Sequence, residues 1–183
     1  MKNLTFVLLL CIAACSNDTD EINRITNEAK SPTETINGLQ ILYSDSGFVK
    51  ASMKAAVMNR YYNDTPYTEL PKGVAMYFFD IGQDTISTLT AKYAIRNEIN
   101  KTMEARNDVI VKNKKGETLN TEKLVWNEAT GKFTSDVFVK ITTASEVIMG
   151  QGFEANQDFT RYSIKKPKGS IIVNKSDSTA PAF

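Results

Sequence analysis

Histidine is absent from the 183 residues, and cysteine occurs only at Cys11 and Cys15. Without histidine, the common Ser-His-Asp and Cys-His arrangements and the usual zinc sites cannot be built. Both cysteines lie in or just after an N-terminal apolar run, so neither is expected to serve a disulfide or a metal in the folded domain. No G-x-x-x-x-G-K loop is present, so the chain is not expected to hydrolyse a nucleotide. Charge is also unremarkable: 22 basic residues stand against 21 acidic ones, with no stripe basic enough for nucleic acid. The densest basic cluster, Lys165-Lys166-Pro167-Lys168, reads as a solvated turn. These absences leave carboxylates, lysines and hydroxyls for chemistry. No enzyme, cofactor or metal is expected.

Lys2 precedes an apolar run from Leu4 to Ala14, too short to cross a bilayer, which takes about 20 apolar residues. It has the form of a signal-peptide core and ends in Ile12-Ala13-Ala14-Cys15, the pattern of a lipobox in which Cys15 becomes the lipid anchor. Removing residues 1–14 leaves 169, enough for one domain and a tether. Residues 15–37 are polar and read as the lipidated cysteine and a flexible tether. Fully extended, at about 3.3 Å per residue, that tether would reach roughly 70 Å. Residues 38–175 are expected to form the domain, with a polar tail at 176–183.

From Leu39 onward the hydrophobic period is two. Val49, Ala51, Met53, Ala55 and Val57 oppose Lys50, Ser52 and Lys54; Met103, Ala105, Val109 and Val111 oppose Glu104, Arg106, Asp108 and Lys112; Val137, Val139 and Ile141 oppose Lys140 and Thr142. Alternation of this kind denotes strands with one buried face. Turn signals recur at Asp45-Ser46-Gly47, Pro71-Lys72-Gly73, Ile81-Gly82-Gln83-Asp84, Lys114-Lys115-Gly116 and Ala129-Thr130-Gly131. A weak repeat relates Asn107–Val111 to Ser135–Val139, and Thr90–Ile95 to Thr121–Trp126. Its period of about 30 residues suggests stacked rungs.

Gly150-Gln151-Gly152-Phe153-Glu154-Ala155 matches the dinucleotide fingerprint, but no helix follows to hold a pyrophosphate. Close strand packing is the better account of both glycines. Carboxylates are plentiful, yet they fall on polar strand faces or in turns. Trp126, the lone tryptophan, shares a parity with Leu124 and packs in a core or lines an apolar slot.

Ala105–Val111, Lys115–Trp126, Phe133–Val137 and Gly150–Asn156, in that order and spacing, resemble the periplasmic lipopolysaccharide-export family LptC, akin to the OstA-like proteins, over roughly residues 38–165. The resemblance implies an all-β fold, an open β-jellyroll of stacked antiparallel strands with an apolar interior groove. It further implies transfer of lipopolysaccharide from an inner-membrane ABC transporter complex to a periplasmic bridge protein of the same fold. Met53, Val57, Val109, Val111, Trp126, Val137, Val139 and Ile141 are then expected to face the groove. Leu39, Ile41 and Tyr43 at one end, and Tyr162 and Ile164 at the other, are expected to form the partner edges. A lipobox replaces the N-terminal transmembrane helix of many members, and Ser16 follows the cysteine. The expected location is the periplasm, lipid-anchored to the inner membrane. The alternative is a structural or adaptor lipoprotein of the outer membrane or cell surface with a filled core.

Overall fold

The computed structural model describes residues 31–172 apart from Asp158; Cys15, the leader and the polar tail lie outside these. Eleven strands and no helix occur among the described residues: β1 (Glu34–Asp45), β2 (Phe48–Tyr61), β3 (Tyr67–Leu70), β4 (Val74–Phe79), β5 (Thr85–Ala91), β6 (Tyr93–Asn97), β7 (Thr102–Asn113), β8 (Thr118–Asn127), β9 (Lys132–Thr142), β10 (Glu146–Asn156) and β11 (Tyr162–Ile172). All pairings are antiparallel and belong to one sheet. β3 and β4 run in the same direction along β2, so they are halves of one course interrupted at Pro71-Lys72-Gly73; β5 and β6 are likewise halves of one course, interrupted at Lys92. The sheet is therefore a meander of consecutive courses, an open jellyroll with β1 and β11 as its edge strands.

Alternation builds these strands. In β4, Val74, Met76 and Phe78 are buried while Ala75, Tyr77 and Phe79 are half-exposed. Left-handed backbone marks the turns, as at Ser46 and Gly47 between β1 and β2, Gly116 between β7 and β8, and Gly131 between β8 and β9.

Irregularities lie side by side across the sheet. β7 bulges at Asn107 and Asp108, both with positive φ (61° and 55°), and Asn107 O accepts from Lys92 N at 3.0 Å where the β5–β6 course breaks. The β8–β9 register shifts between Thr121 and Val125, where Thr121 Oγ1 donates to Phe138 O at 2.8 Å. β10 shifts against β9 between Gln151 and Phe153. Bulges bend and twist a strand, and in a row they bend the sheet so that its inner face closes on itself. Phe78 of β4 meets Phe133 of β9 edge-on at 6.0 Å although the two strands are not neighbours, and Phe159 stacks on Phe133 at 4.5 Å.

Three expectations change. The stretch read as tether already carries strand at Glu34–Asn37. Arg60 pairs with Glu34 at 2.8 Å and Ile36 packs on the core, while the outer side of this edge strand is polar and resembles linker composition. The inward parity of β2 slips after Ala55: Met58 is buried and Val57 is not in the core, because β2 leaves β4 after Lys54 and meets β3 only from Asn59. Pro167 does not turn the chain. It sits within β11 opposite Gly150, at an edge where a missing N–H disturbs no ladder on the outer side.

Candidate functional site

Cross-strand rows show how the inner face is lined. One row runs Ile41, Met53, Met76, Leu89, Val111, Leu119, Ile141, Ile148 and is apolar from β1 to β10. A second row, nearer the other end of the strands, runs Glu34, Arg60, Thr68, Arg96 and then changes character to Met103, Trp126, Phe133, Ala155. Both rows are thus apolar across β7–β10, while across β1–β6 one end carries charge.

On that β1–β6 side the inner face leaves a cavity of about 280 Å³, lined by Ile41, Tyr43, Ala51, Met53, Met58, Met76, Phe78, Met103 and Trp126, with Arg60, Thr68, Arg96, Glu98, Glu128 and Gln157 at its polar end. Ile41 and Tyr43 point inward yet remain 41% and 46% exposed, so the cavity opens along edge strand β1. Four of the six methionines of the chain line it. Unbranched, polarisable methionine packs against irregular and changing apolar shapes.

The polar end is an ion-paired cluster. Arg96 donates to Glu128 Oε2 at 2.9 Å and to Glu98, and Thr68 Oγ1 donates to Glu98 Oε1 at 2.9 Å. Burial alone would lower the Arg96 pKa, but its bonds to Glu128 and Glu98 outweigh this and raise it, so the guanidinium stays charged. The indole N–H of Trp126 is buried and has no partner among the described residues. An apolar slot with one charged end suits an amphiphile whose chain enters and whose polar part stays outside.

The sequence-expected groove residues separate into three groups. Met53 and Trp126 line the cavity. Val109, Val111, Val139 and Ile141 are buried to 2% exposure or less in the packed core with Phe133 and Phe153. The void bordering Val111 and Ile141 is about 20 Å³, room for about one water. Val57 and Val137 are half-buried and belong to neither group, Val57 because of the parity slip. Leu39, Ile41 and Tyr43 do lie on edge strand β1, and Tyr162 and Ile164 on edge strand β11. Their side chains, however, turn inward: Leu39, Tyr162 and Ile164 pack on the core, and Ile41 and Tyr43 line the cavity, so only the backbone of these strands forms an edge.

Gly150 is required by contact. A Cβ there would lie 2.5 Å from Ile164 Cγ2 and 2.6 Å from Lys166 O. The sequence reading gives no role to Met58 or Met76, and it places Met103 on an inward parity without assigning it to the groove. The signal was available, because methionine at inward strand positions departs from the β-branched residues that strands favour.

A model of the lipopolysaccharide-assembly, LptC-related family matches residues 4–166. No curated protein matches the chain.

Proposed function

The chain belongs to the LptC-related family of lipopolysaccharide-assembly proteins, and we propose that its domain shelters an acyl chain of lipopolysaccharide in the methionine-lined cavity during transfer. As a member it takes part in lipopolysaccharide transport, in the periplasm and in association with the inner membrane. The observation that carries the finer reading is the cavity: about 280 Å³, apolar, open along β1 and charged at one end. Lipid chains leaving a bilayer need shelter of about 0.8 kcal/mol per CH₂, and apolar walls give it without directional bonds that would hold the lipid in place.

In this reading lipid arrives from an inner-membrane ABC transporter complex and leaves to a periplasmic bridge protein. The backbones of β1 and β11, each paired on one side only among the described residues, supply the edges for strand addition. Cys15 carries the lipid anchor. A filled-core adaptor is disfavoured by the open cavity.

A photo-crosslinking residue at Met53 should capture lipopolysaccharide in cells, and one at the exposed Lys140 should not. Equal capture at both positions contradicts the reading. Fatty-acid labelling should mark the wild type and not Cys15→Ala; labelling that survives the substitution removes the anchor.

A further inference from the structure

The outer face of the same strands holds a second hollow. Between Lys54 and Asn59, β2 has left β4 and not yet met β3, so among the described residues Ala55–Met58 have no partner strand on that side. The gap forms an open groove of about 700 Å³ floored by small residues, among them Ala55, Ala56, Gly73 and Ala75, and flanked by Lys54, Lys72 and Lys92. Among the described residues no carboxylate lines it. Among the described residues Lys54 and Lys72 form no ion pair, and Lys92 meets only the exposed Asp108 at 3.3 Å. Two unpaired cations, Lys54 and Lys72, and a third, Lys92, that is paired on its outer side with Asp108, therefore flank the groove.

A neighbouring hollow of about 380 Å³ shares Gln40 and Lys54 with it and continues along β1, β2 and β4. Two outer rows build this region: Gln40–Lys54–Ala75, and Leu42–Ser52–Tyr77. They lie two residues apart along the strands, about 7 Å. Ser52 is only 4% exposed, and its Oγ has no hydrogen-bond partner among the described residues. Lys54 Nζ lies 5.7 Å from the ring centroid of Tyr77, and Gln83 completes the lining. Lysines for phosphate, amides and an unsatisfied hydroxyl for sugar hydroxyls, and an aromatic face for a sugar ring together match one class of ligand.

We propose that this outer groove is a subsite for a phosphorylated saccharide, the headgroup of the glycolipid whose chain the inner cavity holds. The proposal rests on the acyl-chain reading for the source of the headgroup, and on charge and geometry for its chemistry. It gives the protein a second hold on its cargo, across edge strand β1 from the first.

The test uses the full mature chain and three probes: diphosphorylated lipid A, the same lipid with both phosphates removed, and soluble glucosamine phosphate. The wild type should bind the phosphorylated lipid roughly tenfold more tightly than the dephosphorylated one, the order expected for a few partly exposed charge contacts. In Lys54→Gln/Lys72→Gln/Lys92→Gln that ratio should fall to about one, with affinity for the dephosphorylated lipid unchanged. Lys112→Gln/Lys140→Gln should leave the ratio intact. A ratio that persists in the triple variant, or falls equally in the control, overturns the proposal. Glucosamine phosphate separates the two readings: it should shift the amide signals of Ala56 and Ala75 in the wild type and not in the triple variant. If those shifts occur while dephosphorylated lipid fails to bind, the cavity reading fails and the saccharide subsite stands. If they do not occur, the subsite is refuted whatever the lipids do.

Discussion

Met53→Trp should shorten the lipid chain that the protein can hold. At about 30 Å³ per small group, the share a water takes in the liquid, the cavity of about 280 Å³ accommodates roughly nine methylenes. Each buried methylene contributes about 0.8 kcal/mol, close to fourfold in Kd. Affinity for single-chain N-acyl glucosamines should therefore rise about fourfold per carbon and level off near nine carbons. Met53 lies in the middle of the floor, paired with Ile41 on one side and Met76 on the other. Tryptophan adds roughly six heavy atoms there and leaves room for three or four methylenes. The plateau should then move to about four carbons, and a nine-carbon probe should lose about 4 kcal/mol, near a thousandfold. Isothermal titration across the series measures slope and break point together, and a urea midpoint at or above the wild-type value shows that the variant is folded. A folded variant with the wild-type slope and break point refutes the assignment of the chain to this cavity.

Val139→Ala tests the opposite region: at 0% exposure in the packed core it should lower stability by about 2 kcal/mol in urea denaturation and leave the chain-length break unchanged. Gly150→Ala forces a Cβ to within 2.6 Å of Lys166 O and 2.9 Å of Pro167 Cα; a loss of about 2–4 kcal/mol or failure to fold is expected, with far-ultraviolet dichroism and urea titration as the measurement. Burial and the 2.7 Å bond to Glu69 Oε1 push the Tyr93 phenol up to about 12. The folded protein therefore keeps a proton that the unfolded chain releases above about 10. Its contribution is complete below that pH and disappears as pH rises toward 12, so the urea midpoint should fall over this interval, and less steeply in Tyr93→Phe. Tyr61 and Tyr162, shifted in the same direction, account for a residual slope.

Much of the architecture was legible because period-two alternation has a single physical meaning. β7 and β9 were readable from Val109, Val111, Val139 and Ile141, and the turns from glycine placed beside polar residues. What escaped was set by long-range pairing. The slip that brings Met58 inward depends on where β2 exchanges β4 for β3, which no local pattern encodes. Pro167 looked like a turn because only the sheet order reveals that β11 is an edge. The core valines and the cavity methionines share the inner face of the sheet, and alternation cannot distinguish a filled interior from an open one. The weak repeat carried more than rung spacing. Its units Asn107–Val111, Ser135–Val139, Thr90–Ile95 and Thr121–Trp126 coincide with the places where the sheet bends.

Because every course pairs only with the courses before and after it in the chain, the domain assembles without a crossover or a distant strand insertion. Ladder formation needs only short loops to close, which favours rapid acquisition for an all-β protein. The step that brings β4 against β9 through Phe78 and Phe133 must come later, since it spans several courses and depends on the bends. Opening can likewise begin at either end without disturbing the middle, as in linear repeat arrays. Amide protons of β1 and β11 should exchange with solvent earliest and those of β7–β9 last. The rim of the cavity, built partly on β1, is thus the least protected backbone of the domain, and loosening that one course widens the slot while the aromatic centre stays intact.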